Sequence, residues 1–386
     1  MGVEIRSWTT RRTNFYVESE KNMCGKKVGV FILFLAAAAF CIFEIYALLL
    51  FSTENTESLP DNFGNFVSVR EQIKPESGAN DFYFAVVGDT KGCGTFEKIY
   101  DRIRKLPVKF LVLLGDCVRK PTEGYHSYFR SECNELRPPF PVFFVVGNHD
   151  VNENNFSVSR FEEIYGPTNF FFKYHDQLFV FLRILNRPYK NTESLNFLEK
   201  VLKKERGSCE RAFLFMHIPP KVTYDYQVKS IDGRDRLISL INKYKVDYVI
   251  GADFHGYARV TKGNTVYLVT GGGGAHLKRV KFKQFHHGIV FRVGKHSVSE
   301  HLIVVGRNED FQDQVERYVL GEFVPFIKSF QVLVFGMNLL SVTILVYVLF
   351  VARSAWRDFR LGAVRLLCRS LDLFCSLRLC PHRGHE

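Results

Sequence analysis

Apolar positions in this chain fall into short runs and long ones. The short runs are five or six aromatic and β-branched residues that stop at glycine. Residues 82–87 lead into Gly88-Asp89, residues 110–114 into Gly115-Asp116, and residues 142–146 into Gly147-Asn148-His149-Asp150. Runs of this kind predict buried strands of a parallel sheet, where both faces are covered and polar alternation is lost. The intervening segments, such as 96–105, suit crossover helices, which gives a βαβαβ unit. Ligands of open α/β sheets sit outside the carboxyl ends of the strands, so Asp89, Asp116 and Asn148 are expected to converge. Two later runs end similarly, 212–216 on His217 and 246–250 on Gly251-Ala252-Asp253-Phe254-His255. Oxygen donors combined with imidazoles suit a divalent metal.

The long runs are 28–51, with Glu44 as its single charge, and 329–352, with none. A bilayer core of ~30 Å needs about 20 apolar residues in a helix, so both are expected to span. The first exceeds the h-region of a signal peptide and follows a 27-residue preamble, which favours an anchor. Six Lys and Arg residues precede the first span and seven arginines follow the second, whereas only Arg70 lies within twenty residues after the first. The positive-inside rule then puts both termini in the cytoplasm and the region between the spans on the other side, periplasmic, luminal or extracellular. The expected organisation is a cytoplasmic segment 1–27, a span 28–51, a linker 52–80, a catalytic domain 81–305, a connecting segment 306–328, a span 329–352 and a basic amphipathic tail 353–386 lying on an anionic membrane face.

The ordered blocks, with the supporting Tyr165-Gly166-Pro167-Thr168, His217-Ile218-Pro219-Pro220 and Thr270-Gly271-Gly272-Gly273-Gly274-Ala275, resemble the calcineurin-like metallophosphoesterases, a superfamily that includes purple acid phosphatases. Its usual pattern is D-x-H, GD-x-x-D, GNH-D/E, a lone His and GH-x-H. The resemblance implies an α/β fold, a double β-sheet sandwich flanked by helices in four layers. It also implies hydrolysis of a phosphomonoester or phosphodiester by metal-bound hydroxide, with one or two divalent ions (Mn, Fe, Zn or Mg) per chain. Carried over by position, the metal ligands are Asp89, Asp116, Asn148, His217, Asp253 and His255. His149 is the general acid, and Asp150 is expected to orient its ring. Four positions depart from the pattern: Lys91 and Asp253 stand where histidines are usual, Arg119 where an aspartate is, and Ala252 where a glycine is. Lys91 is read as substrate-binding or as a substitute for metal charge. It equally supports an alternative, a catalytically silent domain that binds a phosphorylated ligand or partner.

Read singly, Asp89 or Asp116 could be a helix N-cap; the series of blocks argues for a common site. His276, His286 and His287 are read as ordinary hydrogen-bonded histidines, and residues 271–274 as a tight turn whose bare backbone approaches the site. The net charge of +12 invites a nucleic-acid reading, but +3 lies in residues 1–27 and +4 in residues 352–386, leaving +5 over the other 324. The expected partners are therefore the lipid bilayer and a phosphate ester, with lipid-linked phosphates favoured by the tethering, and no nucleic acid. Cys93, Cys117, Cys133 and Cys209 fall in the outer domain, as a bridge or as buried thiols. Thirty-eight phenylalanines against four methionines have no explanation at this level.

Overall fold

The computed structural model describes residues 4–53, 58–74, 81–92, 94–277, 284–308 and 311–353, with side chains from residue 28 onward. The amphipathic helix expected in the tail beyond residue 353, and Cys93, Cys368, Cys375 and Cys380, lie outside the described residues. The chain divides into two compact units, Leu50–Phe326 and the two terminal segments.

In chain order the elements are α1 (Glu4–Thr53), α2 (Val67–Arg70), β1 (Phe82–Val87), α3 (Gly94–Ile103), β2 (Val108–Leu113), α4 (Glu123–Leu136), β3 (Val142–Phe144), α5 (Val158–Tyr165), β4 (Phe170–Tyr174), β5 (Gln177–Leu182), α6 (Thr192–Glu205), β6 (Arg211–Met216), α7 (Arg234–Lys243), β7 (Tyr248–Gly251), β8 (Tyr257–Lys262), β9 (Thr265–Thr270), β10 (His286–Val293), β11 (Val298–Val305), α8 (Phe311–Tyr318) and α9 (Val324–Ser329). A final helix, α10, runs over Gln331–Arg353.

The strands form two mixed sheets. One has the order β11-β10-β1-β2-β3, and the other β4-β5-β6-β7-β9-β8. In the first, β1, β2 and β3 are parallel and β10 runs antiparallel to β1. In the second, β5, β6, β7 and β9 are parallel. Each β1 side chain takes one of two faces. Phe82, Phe84 and Val86 point into the space between the sheets, whereas Ala85 and Val87 pack with Ile99 and Ile103 of α3. On its outer face the second sheet is covered by α6 and α7 through Leu198, Leu202, Leu237 and Ile241. The layers are therefore helix, sheet, sheet, helix, as the fold reading expects.

The space between the sheets accounts for much of the phenylalanine. Phe84 stacks on Phe110 and Phe291, with centroids 5.2 and 4.6 Å away, and meets Phe179 and Phe213 edge-on at 5.5 Å each. Phe143, Phe181 and Phe215 extend the same layer. Flat rings tile a gap between two sheets, each contributing about 1.5–3 kcal/mol of burial, with roughly 0.5–1.5 kcal/mol more per well-placed ring pair.

The stretch 52–80 is not a linker throughout, because α1 continues to Thr53 and residues 58–74 include part of the domain's edge. Phe63 is buried in the first core, and Gly64 N–H donates to Val142 O at 3.0 Å. The Asn65 amide donates to Phe144 O (2.9 Å) and accepts from Phe144 N–H (2.8 Å). As the edge strand, β3 has backbone groups that need partners, and this segment supplies them. Likewise the connecting segment folds as α8, a π turn over Val319–Phe323 and α9.

In the terminal unit, residues Val28–Thr53 of α1 and all of α10 are long and apolar enough to cross a membrane. Among its described residues the buried positions are the small residues Ala37, Ala47 and Ser341 together with Val334, as close helix packing favours. Glu44 has a partner: its Oε1 accepts a hydrogen bond of 3.0 Å from the Asn338 amide.

Candidate metal centre

Three parallel strands of the first sheet deliver their carboxyl ends to one place. Asp89 follows β1, Asp116 follows β2, and Asn148-His149 follow β3; the second sheet adds His217 after β6 and Asp253 and His255 after β7. The backbone is strained there. Asp89, Lys91, Asp116 and Asp253 have φ of 56°, 55°, 53° and 63°, four of the seven non-glycine residues with positive φ among the described residues. Such left-handed conformations cost energy and collect at functional sites; Asp bears them better than Lys. Two glycines permit the crowding. A Cβ on Gly147 would overlap the Asp116 amide and Oδ1, and one on Gly271 would overlap Asp89 Oδ2.

The innermost groups are Asp89, Asp116 and His217. All are buried, and each offers a donor atom within 4.8 Å of the others. His217 Nδ1 takes its hydrogen bond with Leu114 O at 2.7 Å, which turns Nε2 inward. That Nε2 is 3.2 Å from Asp116 Oδ1 and has no hydrogen-bond partner; neither has the buried Asp89 Oδ1. His255 Nε2 lies 3.5 Å from Asp89 Oδ1, with its Nδ1 hydrogen-bonded to His276 O at 2.8 Å. Buried polar atoms are seldom left without partners. Two orphans facing a carboxylate fit a divalent cation held by Asp89, Asp116 and His217, with His255 alongside.

The electrostatics agree. Burial alone would raise the Asp116 carboxyl, but His217, Lys91 and His149 outweigh it and hold the group well below the carboxylate range. Burial penalises charge on the His217 and His255 rings, yet nearby carboxylates, Asp116 for the first and Asp89 for the second, raise both above the ordinary value. Burial, helped by Lys91 and Lys229, lowers His149 despite Asp116.

Two lysines enter the cluster. Lys91 Nζ donates to Asp116 Oδ2 at 2.7 Å. Lys229, on the loop between β6 and α7, was not foreseen. Its ammonium donates to Asn148 Oδ1 (2.7 Å) and Asp253 Oδ1 (2.8 Å), and its backbone N–H to Asp253 Oδ2 (2.8 Å). Nothing in the sequence around position 229 marks it, since the loop has neither period nor motif.

Asp150 requires a correction. Its oxygens accept from the backbone N–H groups of Gly147 (2.7 Å), Asp116 (2.8 Å), Cys117 (2.8 Å) and Val118 (3.1 Å). The carboxylate ties two strand-end loops together, and it does not hold the His149 ring, whose Nδ1 faces Arg119 O at 3.3 Å. The ring is half-buried, and Nε2 is 3.9 Å from Asp116 Oδ2. His287 is a satisfied core residue, bonded to Thr270 Oγ1 and Phe285 O at 2.9 Å each. Cys117, Cys133 and Cys209 are buried free thiols.

A double α/β sandwich with acidic and imidazole side chains at its strand ends defines the metallophosphoesterase class. The family model for calcineurin-like phosphoesterases matches residues 82–257, from the start of β1 to the start of β8. Similar solved structures include GAP50, the anchor in the inner membrane complex of Plasmodium, at 14% identity over 63% of this chain and 95% of that one (TM-score 0.45). Purple acid phosphatase PPD1 from yellow lupin (Lupinus luteus) is similar at 15% identity over 62% and 56% (TM-score 0.48). A dimetal phosphatase from Danio rerio follows at 13% over 58% and 99% (TM-score 0.44). No curated protein matches the chain in sequence.

Proposed function

We propose that this protein is a membrane-anchored, metal-dependent phosphoesterase that hydrolyses a phosphomonoester or phosphodiester. In this reading both termini are cytoplasmic and the domain is exocytoplasmic. The observation that carries the enzymatic part is the pair of orphaned buried atoms, Asp89 Oδ1 and His217 Nε2, facing Asp116. Asp89, Asp116 and His217 would hold the ion, with His255 completing the set. A bound divalent ion supplies charge neutralisation for the phosphate and acidifies a water ligand. The chain's own groups do the rest. Lys91 and Lys229 put ammonium charge beside the position a phosphate would take, and the half-buried His149 ring is placed to give a proton to the leaving oxygen. Tethering at both ends favours phosphate esters of the envelope or of lipids.

A second reading has specific support. Lys91 and Lys229 pair with oxygens that the family pattern assigns to metal, so the domain could bind a phosphorylated ligand without turning it over. The description of GAP50 as an anchor is compatible with that. The purified full chain in detergent decides between the two readings. Metal content is measured alongside hydrolysis of p-nitrophenyl phosphate and its bis ester with Mn²⁺, Zn²⁺ or Fe²⁺. Bound metal with turnover, lost in Asp116→Asn and reduced about 10²-fold or more in His149→Ala, supports the enzyme. No metal and no turnover supports the silent binder.

A further inference from the structure

We propose that this centre is built for one divalent ion, and that the Lys229 ammonium permanently fills the position of a second. The inference rests on the metal-binding reading above. The donor atoms divide into two groups. Asp89 Oδ1 and His217 Nε2 have no hydrogen-bond partner, so they are available to an ion. Asn148 Oδ1 and Asp253 Oδ1 are each held by the same ammonium, at 2.7 and 2.8 Å. The resemblance implies a second ligand set of these two oxygens with Asp116 and His217; with both oxygens held by Lys229, His217 Nε2 is left to the single ion, beside Asp89 and Asp116.

The two unusual residues explain each other. An imidazole at position 253 could not form an ion pair with an ammonium, but a carboxylate can. Asp253 also accepts from the Lys229 backbone N–H at 2.8 Å, so main chain and side chain of this lysine are pinned to one partner. The Asp253 side chain is nearly buried, and a buried carboxylate needs such a partner. Lys91 repeats the device on Asp116 Oδ2, at 2.7 Å.

Charge balance gives the same answer. Asp89, Asp116 and Asp253 contribute three negative charges, and Lys91 and Lys229 two positive ones. One divalent ion brings this group to a single positive charge. A second would press another dication against two ammoniums in a partly desolvated site, where like charges repel most strongly. Lys229 thus keeps a positive charge at the second position with no ion to recruit or lose.

The test counts ions without requiring turnover. Full-length protein in detergent is equilibrated with excess Mn²⁺, freed of unbound metal and analysed for manganese per folded chain. Electron paramagnetic resonance of the same samples distinguishes an isolated ion, with its six-line spectrum, from an exchange-coupled pair. The wild type is expected to bind one ion with an uncoupled spectrum. Lys229→Ala and Lys229→Met are expected to bind two, with a coupled spectrum. Two ions in the wild type would overturn the inference and leave the metal-binding reading standing. One ion in both folded variants would overturn the role given to Lys229. No ion in the wild type would overturn both readings. Should a variant fail to fold, the wild-type count and spectrum still decide the matter.

Discussion

The Lys91 ammonium lies 2.7 Å from Oδ2 of Asp116, a carboxylate that is itself buried and strained at φ 53°. Lysine therefore stands where the calcineurin-like pattern has a histidine, and its charge is committed to an oxygen of a residue that the proposed centre would offer to an ion. Removing it as Lys91→Met leaves Asp116 short of one partner. The metal-free protein is expected to lose about 1–3 kcal/mol, the usual penalty for an unpartnered buried group. Metal affinity should move the other way, at least tenfold tighter, because a like charge beside the ion is gone. Denaturant midpoints without metal, and titrations with Mn²⁺, check both. An unchanged midpoint would mean that the pair contributes nothing.

The proposed role of His149 as proton donor predicts a pH signature. Burial and the ammoniums of Lys91 and Lys229 lower its pKa below the ordinary 6.5. As a proton donor it acts only while protonated, so the His149-dependent share of turnover is present at low pH and fades as pH rises through that lowered value. The profile of kcat/KM, which reports groups of the free protein, should therefore show a descending limb below pH 6.5. In His149→Ala that limb should disappear. A variant that keeps the limb would assign it to another group.

Much of the fold could be read from the chain because each parallel strand is an uninterrupted apolar run closed by a glycine and a polar residue. That signal placed Asp89, Asp116 and Asn148 at neighbouring strand ends. Other features were out of reach for definable reasons. Lys229 comes from a loop without periodicity, and only tertiary contact brings it to Asn148 and Asp253. Asp150 follows His149 in sequence, yet the turn sends its carboxylate to four backbone N–H groups in place of the neighbouring ring. The phenylalanine excess had no meaning until two sheets faced one another and their common interior proved to be lined with rings. Residues 58–74 looked polar enough for a linker, but an edge strand needs covering, and Phe63 and Asn65 do that work.

Glu44 and Asn338 supply a prediction for the apolar helices. A carboxyl group in a membrane span is costly, and the 3.0 Å hydrogen bond from the Asn338 amide offsets part of that cost. Interhelical bonds of this kind contribute about 0.6 kcal/mol on average and up to ~1.7. Asn338→Leu should weaken association of α1 and α10 by that order. Glu44→Gln, which keeps an acceptor oxygen, should cost less. Reversible unfolding in mixed micelles measures both, and equal losses would remove the pair from any role in holding the helices together.

A buried histidine beneath the site should make part of the fold acid-sensitive. His126 is hydrogen-bonded at both ring nitrogens, to Tyr165 Oη at 2.9 Å and to Asp150 O at 2.8 Å, and stacks on Phe156. Donation from Nε2 to the carbonyl and acceptance at Nδ1 from the phenol describe a neutral ring. Burial pushes its pKa down to about 3, from 6.5 in an unfolded chain. The unfolded state therefore binds a proton that the folded state refuses. Stability from this residue is complete above pH 6.5 and is lost as pH falls from there towards 3. Other buried groups titrate in the same range, so the total slope mixes several contributions, but a difference between two proteins isolates this one. His126→Gln carries no titratable ring and should be less stable than wild type at pH 7.5. The gap should shrink by about 1.4 kcal/mol per pH unit below 6.5, or about 2 kcal/mol by pH 5. Urea midpoints of both proteins at pH 7.5 and 5 measure the gap. A gap that stays constant would mean that His126 titrates in the folded protein as it does in the unfolded chain, so that below pH 6.5 Nδ1 would donate to Tyr165 Oη while Nε2 still donates to Asp150 O.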